Sequence, residues 1–203
     1  MIVAMILAAG ESARMGHPKA LLNYRGATFL EGILSAAYAA GLERRVVVLG
    51  ANADEVLQAL EFESDATMVV RSEKLEAGPI GSIRAGIRLL SNHPVEAVVV
   101  WSVDRPHVSV TTIEALVGGF RESHLPVVVP VYQGRRGHPV LFGREVFQEL
   151  LDAPDAEGAR AVVRADPDRV LAVSVDDPAV LEDLDTPEQY EALLRKQDRL
   201  GEG

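Results

Sequence analysis

A short stretch behind the first apolar segment carries residue types that are suited to binding phosphate. Residues 7–22 read LAAGESARMGHPKALL. Glycines let backbone amides approach a ligand closely, and Arg14 and Lys19 would add two cations for the oxygens of a polyphosphate. The same cations would stabilise charge in a transition state. The alternative is a connecting loop whose basic side chains are simply solvated, and the residues alone leave both interpretations open.

The spacing of this stretch excludes two familiar phosphate loops. The Walker A pattern is G-x-x-x-x-G-K-[ST], whereas five residues separate Gly10 from Gly16 here. The dinucleotide-binding pattern requires glycine where Ser12 and Met15 stand. That pattern also leads directly into a helix, whereas Pro18 disfavours the helical conformation for the residue before it. The sequence therefore predicts a phosphate loop of another kind.

Carboxylates at two later positions are candidate metal ligands. Asp104 follows an apolar segment and is a hard oxygen ligand suited to Mg²⁺, although a carboxylate two residues before Pro106 could equally form a turn. Asp183 and Asp185 would point the same way in an extended chain, so either could supply a second carboxylate. The alternative is that Asp185 or Thr186 caps the last helix.

Basic residues gather around a Gly-His-Pro turn. Arg135 and Arg136 precede His138, and two adjacent cations in an acidic chain are consistent with an anionic acceptor. Arg160 is a further candidate, with an ordinary helix-surface role as its alternative. Ser12 could bind phosphate through its hydroxyl, but no activating base is evident, so we predict no covalent intermediate.

Composition narrows the class of protein. The chain has 203 residues, 48% hydrophobic and 25% charged, which predicts one soluble globular domain spanning 1–203. The net charge of −10 would repel a polyanion, so nucleic acid is not an expected partner. The chain has no cysteine, which suits a reducing cytoplasm. The apolar start is too short to span a bilayer, so no membrane association is expected.

Apolar segments alternate with helical patterns, which predicts an α/β fold with a mostly parallel sheet. Thr28 and Glu31 form a capping-box pattern before the first helix, and Gly41 would end that helix. Asn52 and Glu55 repeat the pattern before a second helix. The predicted strands are 2–9, 46–49, 68–70, 97–101, 127–131 and 170–175, and further helices are predicted at 82–90, 111–120, 145–151 and 187–195.

The order of the strands determines which residues would meet. If the fourth strand returns to lie beside the first, Gly10 and Asp104 become neighbours at the carboxyl ends of these strands, where α/β sheets bind ligands. Residues 131–142 depart from the alternation, because two extended pieces flank QGRRG and resemble a hairpin. That excursion would form one wall of a site.

Several segments together resemble the nucleotidyltransferases that build nucleotide-linked cofactors and sugars, especially the molybdenum cofactor guanylyl- and cytidylyltransferases. They occur in the same order as in that family and are spread over most of the chain, from residue 7 to residue 190. In the cytidylyltransferase-like members the metal aspartate usually begins Asp-Gln-Pro, whereas this chain has Asp104, Arg105 and Pro106, which places a cation beside the metal site. The segments are LAAGESARMGHPKALL, GPIGSIRAGI (78–87), VVVWSVDRPHV (98–108), RRGHPVLF (135–142), EGARAVV (157–163) and LEDLDTPEQY (181–190).

The resemblance implies a Rossmann-like three-layer α/β/α sandwich with a mostly parallel, mixed sheet. It implies Mg²⁺ at Asp104, with Asp185 favoured over Asp183 as the second ligand, and catalysis by Arg14, Lys19 and Asp104. Residues at the loop and at a later helix would bind the nucleotide, and others would bind the acceptor. The nucleotide set is Leu7, Ala8, Ala9, Gly10, Ser12, Gly16, Lys19, Gly78, Pro79, Gly81 and Ser82, and the acceptor set is Arg136, His138 and Arg160.

The resulting hypothesis is a cytoplasmic enzyme that transfers CMP from CTP to the phosphate of molybdopterin and releases pyrophosphate. The alternatives are GTP as the donor, and a sugar or another small phosphate as the acceptor. A different class is a non-catalytic nucleotide-binding protein that delivers the cofactor. A transient contact with the enzyme that receives the cofactor is expected in either case.

Overall fold

The structure, a computed structural model, describes residues 1–10, 12, 14–62, 65–72 and 78–201, and for 197–201 the backbone alone. The strands in chain order are β1 Ile2–Ala8, β2 Asn23–Tyr24, β3 Ala27–Thr28, β4 Arg44–Leu49, β5 Thr67–Arg71, β6 Ala97–Ser102, β7 Val127–Tyr132, β8 Arg135–Arg136, β9 Val140–Gly143 and β10 Val170–Ser174. The helices are α1 Phe29–Ala39, α2 Ala53–Ala59, α3 Pro79–Leu90, α4 Val110–Ser123, α5 Phe147–Asp152, α6 Arg160–Ala165 and α7 Pro187–Gly201.

One mixed sheet forms the middle layer, with the strand order β10-β7-β9-β6-β1-β4-β5 and with β8 paired to β7. Strand β1 is parallel to both β4 and β6, so the fourth predicted strand does return to lie beside the first. Strand β9 is antiparallel to β6 and to β7 and separates them. The predicted α/β class is confirmed, and the sheet is mixed because β9 and the two-residue strand β8 run antiparallel to their neighbours.

Both faces of the sheet are buried, as the apolar strands require. Successive side chains of a strand point to opposite faces, and in β1 the residues Ile2, Ala4 and Ile6 pack in one core cluster while Val3 and Met5 pack in another. Helices α1 and α4 contribute to the first cluster, and α3, α5 and α6 contribute to the second. These are the three layers that the resemblance implied.

Local signals set the boundaries of α1 but not the start of α2. The Thr28 side chain accepts from the Glu31 amide, and the Glu31 carboxylate accepts from the Thr28 amide, so the predicted capping box forms. Such a cap stabilises a helix by about 1 kcal/mol. Gly41 adopts a φ of 80° just after α1 ends, as a C-terminal glycine should. Asn52 precedes α2 but makes no side-chain cap bond, so the second predicted capping box is wrong.

The excursion near residue 133 differs in detail from the prediction. Only Gln133 and Gly134 form the turn, with φ values of 48° and 76°, which suit a tight hairpin between right-twisted strands. Arg135 and Arg136 lie in β8 and not in the turn, paired with Tyr132 and Val131 of β7. Helix α6 and the short β2–β3 hairpin were not predicted, because segments this brief carry little periodic signal.

Candidate active site

A cleft opens at the carboxyl ends of β1 and β6. It brings together the phosphate loop that follows β1 and the carboxylate that follows β6, as the sequence predicted from the strand order. Asp185, from the segment before α7, completes it. The residues that line the cleft are Leu7, Ala8, Gly10, Ser12, Arg14, Pro18, Lys19, Ala20, Asn52, Ser102, Val103, Asp104 and Asp185.

The described part of the loop is folded tightly by its own hydrogen bonds. Ser12 has a φ of 52°, and its carbonyl accepts from the Met15 amide at 2.8 Å. The Ser12 hydroxyl accepts from the Lys19 amide at 3.1 Å, so this side chain holds the two ends of the loop together. Pro18 is extended and leads into a 3-10 turn over Lys19–Leu21. The chain thereby reverses and returns Lys19 to the cleft.

Lys19 faces the carboxylates of the cleft. Its side chain is only 14% exposed, and its ammonium group donates a hydrogen bond to Asp185. This hydrogen bond, more than the attraction of the charges around it, lowers the pKa of Asp185. Lys19 and Asp104 therefore line the same cleft. Arg14 lines the same cleft, so two cations face it from one loop.

Asp104 is a largely buried carboxylate, and one of its two oxygens lacks a hydrogen-bond partner among the described residues. Its side chain is 20% exposed, and among the described residues its Oδ1 atom is buried without a hydrogen-bond partner. Burial raises the pKa of Asp104, while a hydrogen bond from Ser102 and the charges of Arg105 and Lys19 oppose that rise. A buried acceptor left in this state is costly unless a further ligand satisfies it. A divalent cation fits that requirement.

The structure distinguishes the two candidate carboxylates near the last helix. Asp185 lines the cleft, whereas Asp183 is half exposed and lies 3.8 Å from the Arg105 guanidinium. Thr186 caps α7, because its hydroxyl accepts from the Gln189 amide and the Gln189 side chain accepts from the Thr186 amide at 2.9 Å. The capping role therefore belongs to Thr186, and the Asp185 carboxylate is left to face the cleft.

Arg105 connects the two segments that carry these carboxylates. One guanidinium nitrogen, Nη1, donates to the carbonyls of Val180 at 3.0 Å and Glu182 at 2.8 Å. Its Nε atom lies 3.9 Å from the Asp104 carboxylate. The Leu184 amide also donates to the Asp104 carbonyl, at 3.1 Å. Sequence alone showed a cation at this position but not that it reaches across to the far segment.

Two of the predicted acceptor residues, His138 and Arg160, lie near each other and near Arg105. His138 is an exposed residue, yet desolvation by the protein around its imidazole, together with the charges of Arg105 and Arg160, lowers the pKa to about 4. Arg160 and Arg136 are both exposed. The His138 amide donates to the Val180 carbonyl at 2.9 Å, which fixes this turn against the segment that Arg105 also holds.

The other predicted nucleotide residues are not part of the cleft lining. Gly78 and Pro79 are exposed at the start of α3, where Gly78 has a φ of 65°. Gly81 and Ser82 are buried within the helix, so they offer little surface to a base. In the loop itself Ala9 is buried and Gly16 is exposed. Residues 73–77, which lead into α3, lie outside the described residues.

Sequence reasoning missed two polar residues of the cleft. Asn52 was interpreted only as a helix cap, and it lines the cleft beside the end of β4. Ser102 is the last residue of β6 and hydrogen-bonds the Asp104 carboxylate. Both follow or end strands parallel to β1, so the position of a polar residue at that edge of the sheet was the available signal.

A metal at this site would need ligands beyond the protein. Among the residues that the structure describes, no group of three or more His, Asp and Glu side chains could hold a metal ion. Mg²⁺ is commonly held by one or two carboxylates together with substrate phosphates and water. Asp104 and Asp185 are two carboxylates in a cleft that also holds cations for phosphate, which matches that arrangement.

The helices were also checked for membrane spans. Among the residues that the structure describes, none of the helices combines the length and the apolar character that a membrane span requires.

Comparison with known proteins places this geometry in a family. A nicotine blue oxidoreductase of Paenarthrobacter nicotinovorans is 31% identical over 95% of this chain and 96% of that protein. A probable molybdenum cofactor guanylyltransferase of Mycobacterium marinum is 28% identical over 96% and 94% of the two chains. The Mycobacterium tuberculosis protein Rv0371c, in a crystal structure with manganese, superposes with a TM-score of 0.77 at 30% identity over 96% of this chain and 97% of that one.

A divalent metal is thus bound by a homologue with this fold. The model of the MobA-like NTP transferase domain matches residues 4–180, which include the loop, Asp104 and the β7–β9 excursion. The resemblance inferred from the sequence motifs is confirmed. The chain belongs to the MobA-like NTP transferase family and is a nucleotidyltransferase.

Proposed function

We propose that the protein transfers CMP from CTP to the terminal phosphate of molybdopterin and releases pyrophosphate, with Mg²⁺ as the metal. An acceptor phosphate oxygen forms a bond to the α-phosphorus, and the bond from that phosphorus to the bridging oxygen breaks. The electron pair leaves with pyrophosphate, so no oxidant or covalent enzyme intermediate is required. A cytoplasmic location and a transient contact with the receiving enzyme belong to the same proposal.

The observation that carries this proposal is the pairing of opposite charges in one cleft. Arg14 and Lys19 come from the loop after β1, and the buried Asp104 carboxylate comes from the end of β6. Two anionic reactants must be brought together in nucleotidyl transfer, which requires cations to neutralise their charge. The Oδ1 atom of Asp104, buried without a partner, supports the placement of a cation there.

Each group would contribute by binding and positioning. Arg14, Lys19 and the loop amides would hold the triphosphate and stabilise the charge that develops on pyrophosphate. Asp104 and Asp185 would hold Mg²⁺, and the bound ion supplies Lewis-acid neutralisation of phosphate charge. Because Lys19 already pairs with Asp185, the ammonium group would exchange this partner for phosphate oxygens when substrate enters.

The acceptor would lie on the side of the cleft formed by the β7–β9 excursion. His138 and Arg136 of this excursion, and Arg160 of α6 near His138, would supply the polar and cationic groups that a phosphate-bearing acceptor requires. The choice of CTP rests on the resemblance of residues 135–142 to the cytidylyltransferase branch. A relative named as a probable guanylyltransferase makes GTP the main alternative donor.

The test is pyrophosphate release by the purified protein with CTP or GTP, Mg²⁺ and molybdopterin. We expect turnover with CTP to exceed turnover with GTP. Asp104→Asn should lower turnover by about 100-fold or more, because the metal loses a ligand. Glu96→Gln is a matched control, because it removes a carboxylate just before the other end of β6, where Glu96 pairs with the N-terminus at 2.5 Å. No release with either triphosphate would overturn the proposal.

The same proteins also test two other functions. A non-catalytic carrier would deliver cofactor equally well with and without the Asp104→Asn substitution, whereas an enzyme would lose metal-dependent turnover. An oxidoreductase, as the name of the Paenarthrobacter relative raises, would transfer electrons and release no pyrophosphate, and oxidation of NADH or NADPH is the assay for it. The cations and the buried carboxylate of the cleft favour phosphate chemistry, and Ser12 and Met15 stand where the dinucleotide pattern requires glycine. Nicotinamide oxidation without pyrophosphate release would favour the redox function instead.

A further inference from the structure

We propose that Arg105 is a positioning residue that sets the distance between the carboxylates of Asp104 and Asp185, and thereby tunes metal affinity. This inference rests on the metal site of the proposed function. Arg105 would not touch the metal or the substrate. It would act through the backbone of the segment that leads to Asp185.

The two carboxylates need such a connection because they come from distant parts of the chain. Asp104 follows the central strand β6, whereas Asp185 follows a 3-10 turn over Pro178–Leu181 and an extended stretch that belongs to no strand of the sheet. One backbone hydrogen bond, from the Leu184 amide to the Asp104 carbonyl, joins them directly. Without further contacts this stretch could shift relative to β6.

Arg105 supplies the further contacts from inside the protein. Its side chain is 11% exposed. Its Nη1 atom donates to the carbonyls of Val180 and Glu182, and its Nη2 atom lies 3.8 Å from the Asp183 carboxylate. The Nε atom on the other side of the guanidinium is 3.9 Å from Asp104. One planar group therefore contacts both sides of the gap.

The backbone of Arg105 is itself held by the core of the protein. The Trp101 indole donates to the Arg105 carbonyl at 3.0 Å, and the Trp101 side chain is fully buried in the core. The guanidinium is thus carried by a backbone fixed to the core of the sheet. Arginine is suited to this task because its donors are held in a fixed plane, whereas a lysine ammonium is a single point on a flexible stem.

A purely structural role is the competing explanation, and the chain offers a matched control for it. Arg144 makes a similar set of bonds near the amino end of β6. Its Nη1 atom donates to the carbonyls of His93 at 3.1 Å and Val95 at 3.2 Å, and its Nη2 atom donates to Ser91 at 3.3 Å. Loss of either arginine frees backbone carbonyls, but only Arg105 lies between the two carboxylates.

The experiment measures Mn²⁺ binding to the full-length protein by electron paramagnetic resonance, in the presence of a non-hydrolysable CTP analogue. The variants are Arg105→Met, Arg105→Lys and Arg144→Met, and thermal unfolding is recorded for each. We expect Arg105→Met to weaken Mn²⁺ binding by about 10-fold or more, as is typical when a residue that orients metal ligands is lost. Arg105→Lys should retain only part of the wild-type affinity for Mn²⁺, and Arg144→Met should bind Mn²⁺ like the wild type.

A second measurement tests whether Arg105 acts through Asp185. In an Asp185→Asn background, Arg105→Met should weaken Mn²⁺ binding by much less than it does alone. The inference is overturned if Arg105→Met, or Arg105→Lys should the first variant not fold, binds Mn²⁺ like the wild type. Equal weakening by Arg144→Met would also overturn it. If the wild-type protein binds no Mn²⁺, the proposed metal site itself fails, which is a different outcome.

Discussion

The ammonium group of Lys19 donates a hydrogen bond to the Asp185 carboxylate, which lies 166 residues further along the chain. The contact joins the phosphate loop to the segment before α7 within the cleft. Asp185 is 38% exposed, so the pair is partly open to solvent. Ion pairs of this exposure add about 1 kcal/mol or less to stability. The arrangement is therefore better explained by function than by stability.

The Lys19–Asp185 pair gives a first prediction. Lys19→Met should lower kcat by about 100-fold or more, because a cation that stabilises the transferred phosphates is lost. Asp185→Asn should also lower activity, and the double variant should lose less than the product of the two, since the residues share one interaction. Steady-state kinetics of the four proteins check this. Retention of kcat within about three-fold in Lys19→Met would contradict the assignment of Lys19.

Gly137 gives a prediction about packing next to the acceptor side. A Cβ atom there would clash with the backbone carbonyl of Val180, the group that accepts from His138. Gly137→Ala should destabilise the protein by about 1–3 kcal/mol, because backbone has to move. Gly118→Ala, in α4 with open space around the new atom, should instead add about 0.5–1 kcal/mol. Urea unfolding measures both, and equal effects would contradict the packing argument.

His107 gives a prediction for the effect of pH. Its side chain is 7% exposed, and burial lowers the pKa of its imidazole below 6.5, although Glu182 and Asp177 favour the charged form while Arg105 and Lys196 oppose it. As the pH falls below about 6.5, the unfolded chain takes up a proton that the folded protein does not. Stability contributed by neutral His107 is therefore present above that pH and is lost on acidification, at up to about 1.4 kcal/mol per pH unit.

The measurement for His107 is the free energy of unfolding between pH 8 and pH 5. Substitution His107→Gln should flatten the fall in stability on the acidic side, whatever its effect at pH 8. The difference between the two proteins isolates this histidine from other titrating groups. Parallel pH profiles for the variant and the wild type would show that His107 titrates alike in both states.

Asp177 gives a prediction about the free energy of unfolding. Its buried carboxylate accepts hydrogen bonds from the Ser109 amide at 2.9 Å, the Thr112 hydroxyl at 2.8 Å and the Ala179 amide at 3.1 Å. Asp177→Ala should cost about 3 kcal/mol, because buried donors lose their acceptor. Thr28→Ala, which removes an exposed cap, should cost about 1 kcal/mol. Thermal unfolding compares the two, and similar costs would contradict the prediction.

The return of the fourth predicted strand to the first, and with it the meeting of Gly10 and Asp104, was expected from the sequence. Apolar segments that alternate with helical patterns indicate buried parallel strands, and ligands bind where such strands end. The identity of these segments as strands needed only local information, whereas their neighbourhood followed from the general rule for α/β sheets.

The contacts of Arg105 and the place of β9 were not predictable in the same way. Arg105 bonds to carbonyls 75 and 77 residues away, and no local pattern reports such a pairing. Strand β9 has only four residues, so its apolar pattern does not show which strands it separates. Asn52 was assigned from a local capping pattern, whereas its position at the cleft depends on the tertiary fold.

Strand β9 also limits how this fold can change during evolution or design. It pairs with β6 and β7, so the connection that carries His138 has both ends fixed within the sheet. An inserted residue in β9 would turn the following side chains to the opposite face. The tight turn at Gln133 and Gly134 lies outside that constraint. New acceptor preferences should therefore arise by substitution at fixed positions, with changes in length confined to that turn.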